Sequence, residues 1–451
     1  MLTTVLWMGL AAQAGPSMKA GAGVRTTARL STQDCLSTPA QCRWLNFRDA
    51  AVLSPWASAS PSRDVSARID VDLRIHGRAT GYGLEARPVQ QPWSLRVQDA
   101  WVSARSAHTE LKVGIQRIAW GEAQKVSVVD TINPLNLEDP TQLDQRLSTL
   151  ATTFTAHTEV LALTAVVVPY FVPAALPTVD VDLMADRDDL FDERYTGGKA
   201  VDVGALEARP DVPPNTLADT AVAARLRWTP AFGDFAVSWH SGRDSLPQVA
   251  GDVRLLGYQT KKDRVDVSVP IAYPRMHTYG FTGRSTLPFD ITAWSEFALT
   301  MGQRTVAKPS ASQLEALSSL GVIDAVPTPV PETETQDGDP ITRWIVGLER
   351  PFGPVRLVGQ WLHGLFTERK QSELKDYAMA GLRWSVSPTV RLDAHTATDF
   401  EGHLTDVGIT FLHADTAEIT VATTQIRGPS ESTLGGLESA SNVRTQVAMR
   451  F

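Results

Sequence analysis

The chain has 451 residues, 43% of them apolar and 20% charged, with a formal net charge of −8. An acidic balance without a basic run excludes a non-specific nucleic-acid binder. The length accommodates two or three water-soluble domains or one large barrel.

Residues 1–14 read as an export signal. Val5 to Ala12 is apolar, and Ala12-Gln13-Ala14 forms a small-residue cleavage site before Gly15-Pro16. No Lys or Arg precedes the apolar stretch, so a misplaced start is the alternative. Residues 15–63 are expected to form a periplasmic arm or plug. They contain both cysteines, Cys35 and Cys42, whose spacing suits a small disulfide-closed loop in an oxidising compartment. Two free thiols are the other reading. No His lies beside them, so no metal site is expected there.

The first clear strand begins at Val65. Val65, Ala67, Ile69, Val71, Leu73 and Ile75 alternate with Arg68, Asp70, Asp72, Arg74 and His76, giving one apolar and one polar wall. Leu111, Val113 and Ile115 alternate with Glu110, Lys112 and Gln116. The most apolar stretch, 160–176, is short, β-branched and broken by Pro169 and Pro173. It reads as a strand entering a loop, not as a membrane-spanning helix. Further on, Leu226 and Trp228 alternate with Arg225 and Arg227, and Leu382, Trp384 and Val386 with Arg383. Val390, Leu392 and Ala394 alternate with Arg391, Asp393 and His395, and Ala417, Ile419 and Val421 with Glu418 and Thr420. In the last segment Val443, Thr445, Val447, Met449 and Phe451 oppose Asn442, Arg444, Gln446 and Arg450.

The connections alternate as well. Tight joints fall at 107–108, 157–158, 230–231, 288–289, 351–353, 387–388 and 414–415. Longer or more polar stretches lie near 78–91, 121–147, 171–217, 244–273, 303–340, 369–374, 400–402 and 428–439. Short turns at one end and mostly long loops at the other predict a single transmembrane antiparallel β-barrel over 64–451, of about sixteen strands. Both chain ends then fall on the short-turn side. A secreted β-sandwich, with the apolar walls facing each other, is the soluble alternative.

Two loops carry composition signals. Residues 180–193 are rich in carboxylates; a calcium site is conceivable, but a solvated acidic loop is the simpler reading. Residues 312–320 suit two helical turns, followed by a Pro-rich stretch at 327–331, in a loop able to fold into the pore mouth.

The strand ending at 116 runs into Gly114-x-Gln116-x-Ile118-x-Trp120-Gly121-Glu122, followed by Ile132-Asn133-Pro134. This resembles a group of proteobacterial outer-membrane porin-like β-barrels of undefined function, distantly like alginate-export barrels. The resemblance covers about twenty residues, the barrel pattern and the terminal aromatic. It implies a bacterial outer-membrane location, contact with outer-membrane lipid, and recognition of Phe451 by the barrel-assembly machinery. Physically, Trp120 suits the interfacial level where a strand leaves the membrane. Gly121 permits a bend, and Asn133-Pro134 starts a turn. Glu122 and Asn133 either line the mouth or anchor the loop.

No catalytic cluster is legible. His76, His395 and His403 are scattered, and nothing calls for a cofactor. The polar walls predict a lumen in which Arg68, Arg74, Arg96, Lys112, Arg225, Arg227, Arg343, Arg356, Arg383, Arg391, Arg444 and Arg450 outnumber Asp70, Asp72, Asp99, Glu110, Glu349, Asp393 and Glu418. Charged pore walls set ion preference, so an anion-leaning or sugar-acid-tolerant channel is expected. Its cargo would be small hydrophilic solutes or an exported polysaccharide. A barrel that anchors envelope-complex proteins is the alternative.

Overall fold

A computed structural model describes residues 17–32, 51–75, 93–176 and 202–451, except 140, 144, 212, 214–215, 250–251, 260–263, 306–307, 310–314, 316–317, 320–334, 338–339, 369–370, 414–415 and 430–431. The signal segment, both cysteines, the acidic stretch 180–193, the Pro-rich stretch 327–331 and most of 312–320 lie outside the described residues.

Eighteen antiparallel strands form the wall. They are β1 (Ser17–Ser31), β2 (Ala51–Ser60), β3 (Val65–Ile75), β4 (Trp93–Arg105), β5 (Thr109–Gln116) and β6 (Thr149–His157). There follow β7 (Leu161–Val168), β8 (Ala221–Trp228), β9 (Asp234–Arg243), β10 (Arg275–Leu287), β11 (Ile291–Thr305) and β12 (Ile341–Phe352). The last six are β13 (Val355–His363), β14 (Asp376–Ser387), β15 (Val390–Thr398), β16 (His403–His413), β17 (Ala417–Arg427) and β18 (Asn442–Arg450). Each pairs with its neighbour in sequence, and β1 pairs with β18 from Gly23 opposite Arg450 to Ser31 opposite Asn442. The sheet therefore closes on itself, which removes the sandwich reading and leaves the wall no free edge. At the seam the Phe451 N–H donates to the Ala22 carbonyl at 2.8 Å, and the Ala22 N–H to the Phe451 carbonyl at 3.1 Å.

The expectation of about sixteen strands is corrected to eighteen. The two omitted strands are β1 and β2, inside the segment expected to be an arm or plug. Residues 17–31 and 51–60 are wall, not plug. Their signal is weak for physical reasons. The outward face of β1 carries Ala20, Ala22 and Ala28 and its inward face Gly21 and Gly23, and both residue types blunt strand propensity. Pro55 sits inside β2, where it has no N–H to give; the β2–β3 partners run to Leu53 and resume at Trp56. Deleting 17–60 removes a hairpin and the seam partner of β18 together. The expected result is loss of the heat-modifiable compact band in detergent gels, whereas a plug could be removed with the band retained.

Among the described residues, the tight joints expected from sequence lie at one end of the cylinder and the longer stretches at the other. The turn at 288–290 is held with Phe289 and Asp290 at φ of 66° and 59°. The outer wall is apolar and exposed, for example Ile69 (50%), Leu163 (53%), Val237 (53%), Leu348 (54%) and Val421 (44%). The inner wall is charged and hydroxylated. Water cannot be the solvent for such an exterior; a hydrocarbon layer satisfies it, and closure of the wall pairs its backbone groups strand to strand. At the long-loop end, 202–211 and 252–259 flank 264–272 in a small separate sheet, joined by 248–249 and 308–309.

Candidate functional site: a loop clamped across the lumen

Residues 117–148, between β5 and β6, turn into the barrel. The neck is built by Asn133, which is 3% exposed. Its Oδ1 accepts the Ile118 N–H at 2.6 Å, and its Nδ2 donates to the carbonyls of Leu147 at 2.8 Å and Gln116 at 3.3 Å. Pro134 is buried beside it, and its carbonyl accepts from Leu147 N–H. Asp130 Oδ1 then accepts the N–H groups of Trp120 and Gly121, closing the first bend. Of the two roles open to Asn133, the geometry assigns loop anchor.

Trp120 is not at the membrane interface. It is 6% exposed and packs inside the barrel with Ile132 against Ala151, Val166, Val168 and Ala223 on the inner faces of β6, β7 and β8. An apolar inner wall at that spot draws the indole inward. Gly121 is required by close approach: a Cβ there would lie 2.1 Å from Ser127 Oγ and 2.8 Å from Glu296 Oε1.

The loop's grip on the far wall centres on Glu296 of β11, which is 1% exposed. Its Oε1 accepts the N–H groups of Glu122 at 2.6 Å and Ala123 at 2.7 Å. Its Oε2 accepts Ser127 Oγ–H at 2.8 Å and Val128 N–H at 3.0 Å. Gln360 of β13 adds bonds in both directions to the Gln124 backbone. Val126, Val128 and Val129 bury themselves against Ala298, Ile345, Leu362, Leu365 and Tyr377. Thr131 meets His240 Nδ1 of β9 at 3.0 Å.

A second anchor lies across the lumen. Glu138 pairs with Arg74 of β3 at 2.6 Å and Arg96 of β4 at 2.9 Å, and Asp139 pairs with Arg29 of β1 at 2.8 Å. Burial pushes the Glu138 carboxyl up, but the two guanidiniums outweigh it and hold the group below its ordinary value of 4.5. The sign follows: this latch is fully formed above the ordinary carboxylate range and is lost as pH falls through the lowered value. Channel noise from loop release is therefore expected only in acid, and Glu138→Gln is expected to show it at neutral pH. Current recordings across a pH series check this; pH-independent noise in both proteins contradicts it.

Above the loop, Leu135, Leu137 and Leu246 pack with Leu143, Leu176 and Phe366, tying 117–148 to the neighbouring long loops. A cleft opens between 126–135 of the loop and residues 244–248 and 274–276.

The loop's contacts reach β1, β3, β4 and β6 to β14, leaving the wall β15–β18 facing it. Lys125 projects there from a backbone at φ 66°. It is exposed, and its charge acts on His395 of β15 and Asp406 of β16. On that wall Asp393 bridges Arg383 at 2.6 Å and Arg391 at 2.8 Å, and Arg444 pairs with Asp406 at 2.8 Å. On the loop's other flank Glu122 sits 3.5 Å from Arg284 and 3.9 Å from Arg225.

The charged residues expected to line a lumen do not share one role. Arg68 and Asp70 pair with each other, Arg227 pairs with Asp234, and Lys112 lies over the Trp101 ring. Asp72 accepts from Ser54 and Gln98. Arg450 is exposed at the short-turn end. Arg74 and Arg343 are 6% and 8% exposed and hold loops: Arg343 donates to the carbonyls of Leu365 and Glu368. Sequence reasoning missed Glu296, Gln360, Asp130, Glu138 and Lys125. Glu296 carried one usable signal: it is the only acid on its strand.

No family model matches the chain, and no curated protein does. The fold has solved relatives in shape. The chain is similar to OccAB4 of Acinetobacter baumannii, with 9% identity over 97% of this chain and 98% of that one at a TM-score of 0.52. It is also similar to a BenF-like porin of Pseudomonas fluorescens Pf-5, with 8% identity over 96% and 98% at a TM-score of 0.51. At such identities the likeness establishes an outer-membrane, porin-like barrel fold. Resemblance to alginate-export barrels finds no counterpart among these structures.

Proposed function

We propose that the chain is an outer-membrane diffusion channel for small hydrophilic solutes. The observation that carries this reading is the loop 117–148, fixed at both ends across a charged lumen so that it narrows the passage to the side of β15–β18. The free-facing groups there lean basic. Lys125 adds one positive charge, two arginines share Asp393, and Arg444 is balanced by Asp406. Anionic solutes are favoured on that count. A clamped loop also favours small solutes over an exported polymer. The outer wall contacts lipid, and Phe451, placed at the closure seam, serves as the signal read during barrel assembly. A role as anchor for envelope proteins predicts a sealed lumen instead.

Liposome swelling tests the reading. Purified protein is expected to admit small sugars and amino acids at rates that fall steeply with solute size. Folded, inserted protein that admits none of them contradicts it.

A further inference from the structure

Three tryptophans on the inner wall share one device. Trp56 of β2 lies directly opposite Gly21 of β1, Trp101 of β4 opposite Gly114 of β5, and Trp294 of β11 opposite Gly347 of β12. At Gly21 a Cβ would stand 2.9 Å from Trp56 Nε1, and at Gly347 it would stand 2.4 Å from the Trp294 ring. A missing Cβ lets these two indoles lie down over the neighbouring strand. Trp294 is roofed by the clamped loop region: it is 5% exposed, and its Nε1 donates to Gln360. Trp56 and Trp101 are only half-buried.

These two stand on strands separated by β3 alone and two residues apart in register along it, so their positions are separated by roughly 12 Å. Between them β3 places Asp70 opposite Trp56 and Arg68 opposite Trp101. Arg68 pairs with Asp70 at 2.9 Å and with Asp99 at 3.7 Å. Asp99 shares the face of Trp101 because it lies two residues before it on β4. Lys112 completes the group, 4.1 Å from the Trp101 ring centre. The cluster lies on the short-turn side of Arg74, below the loop's second anchor. Two cations and two carboxylates make it neutral in sum, unlike the basic-leaning aperture.

We infer that this patch is a stacking subsite for the pyranose rings of a neutral saccharide. The inference rests on the channel reading for how a sugar arrives, but not for how it binds. The chemistry fits in three ways. The C–H face of a pyranose stacks on an indole. Its hydroxyls donate to Asp70 and Asp99 and accept from Arg68 and Lys112. Two platforms roughly 12 Å apart engage two rings of one chain, which raises the effective concentration of the second. Arg68 and Lys112 lie over the rings on flexible stems, in cation–π contacts of about 0.5–1 kcal/mol, weak enough to exchange for a sugar face.

Titration calorimetry with maltohexaose on detergent-purified protein reads binding without transport, and liposome swelling reads transport. Maltohexaose is expected to bind with little salt dependence. Trp56→Ala and Trp101→Ala are each expected to weaken it by roughly three- to tenfold. Trp56→Phe and Trp101→Phe should restore part of the loss, and heat-modifiable gel mobility confirms that each variant is folded. Absence of binding, binding abolished by salt, or binding indifferent to both alanine variants overturns the inference. Binding without swelling leaves the subsite standing and removes the channel; swelling without binding does the reverse.

Discussion

Glu296→Ala is expected to release the middle of the loop and turn a quiet channel into a flickering one of higher mean conductance. The wild-type carboxylate is 1% exposed and accepts four hydrogen bonds, all from residues 122–128. Bonds to a charged group contribute about 1.5–3 kcal/mol each, so even with strong non-additivity the attachment loses roughly 4 kcal/mol. That shifts the ratio of attached to released loop by about a thousandfold. The valine cluster and the Gln360 bonds remain, so the loop is expected to visit the released state, not to live there. Glu296→Gln tests the same point with less change of shape. Its amide nitrogen meets two of the loop's donors where an oxygen stood, so its noise is expected between wild type and alanine. Single-channel recordings with unchanged conductance and noise in both variants contradict the assignment of Glu296 as the main clamp.

The second large effect is expected at Lys125. Its side chain faces His395 and Asp406 across the part of the lumen that the loop leaves open. Lys125→Glu changes the local charge by two units where the passage is narrowed. The reversal potential under a salt gradient is expected to change sign, from anion-preferring in wild type to cation-preferring in the variant. Lys125→Gln should fall between them. The positive φ of 66° adds a second readout. Lys125→Gly relieves backbone strain of order 1–3 kcal/mol, so it is expected to lose selectivity while gaining thermal stability. A reversal potential that does not move with charge at this position removes Lys125 from the aperture.

How much of this was legible in the chain differs by scale. The barrel itself was written in the alternation of segments such as 65–75 and 442–451, because a wall with lipid on one side and water on the other forces a period of two. The turn side was legible because tight joints need Pro, Gly or Asp at particular places, as at 288–290. The first hairpin was not: Ala, Thr, Gly and Pro in β1 and β2 satisfy the wall without announcing it. The loop motif at 114–134 was visible, but its direction was not. Trp120 reads equally well as an interfacial ring or as a plug against an apolar inner wall, and the choice is made by Val166 and Ala223, far away in sequence. The clamp was invisible for the same reason. Glu122 and Glu296 are joined only by the closed topology, and no local spacing encodes a contact across a lumen.

The account depends on water filling a charged cylinder that a folded-in loop narrows. Single-channel conductance of the wild-type protein, set beside a variant in which 121–131 is replaced by a short Gly-Ser linker, measures that most directly. The prediction is a small, discrete, basic-leaning conductance in wild type and a larger, less selective one in the variant. Equal conductances, or no current from protein shown to be folded and inserted, would contradict it.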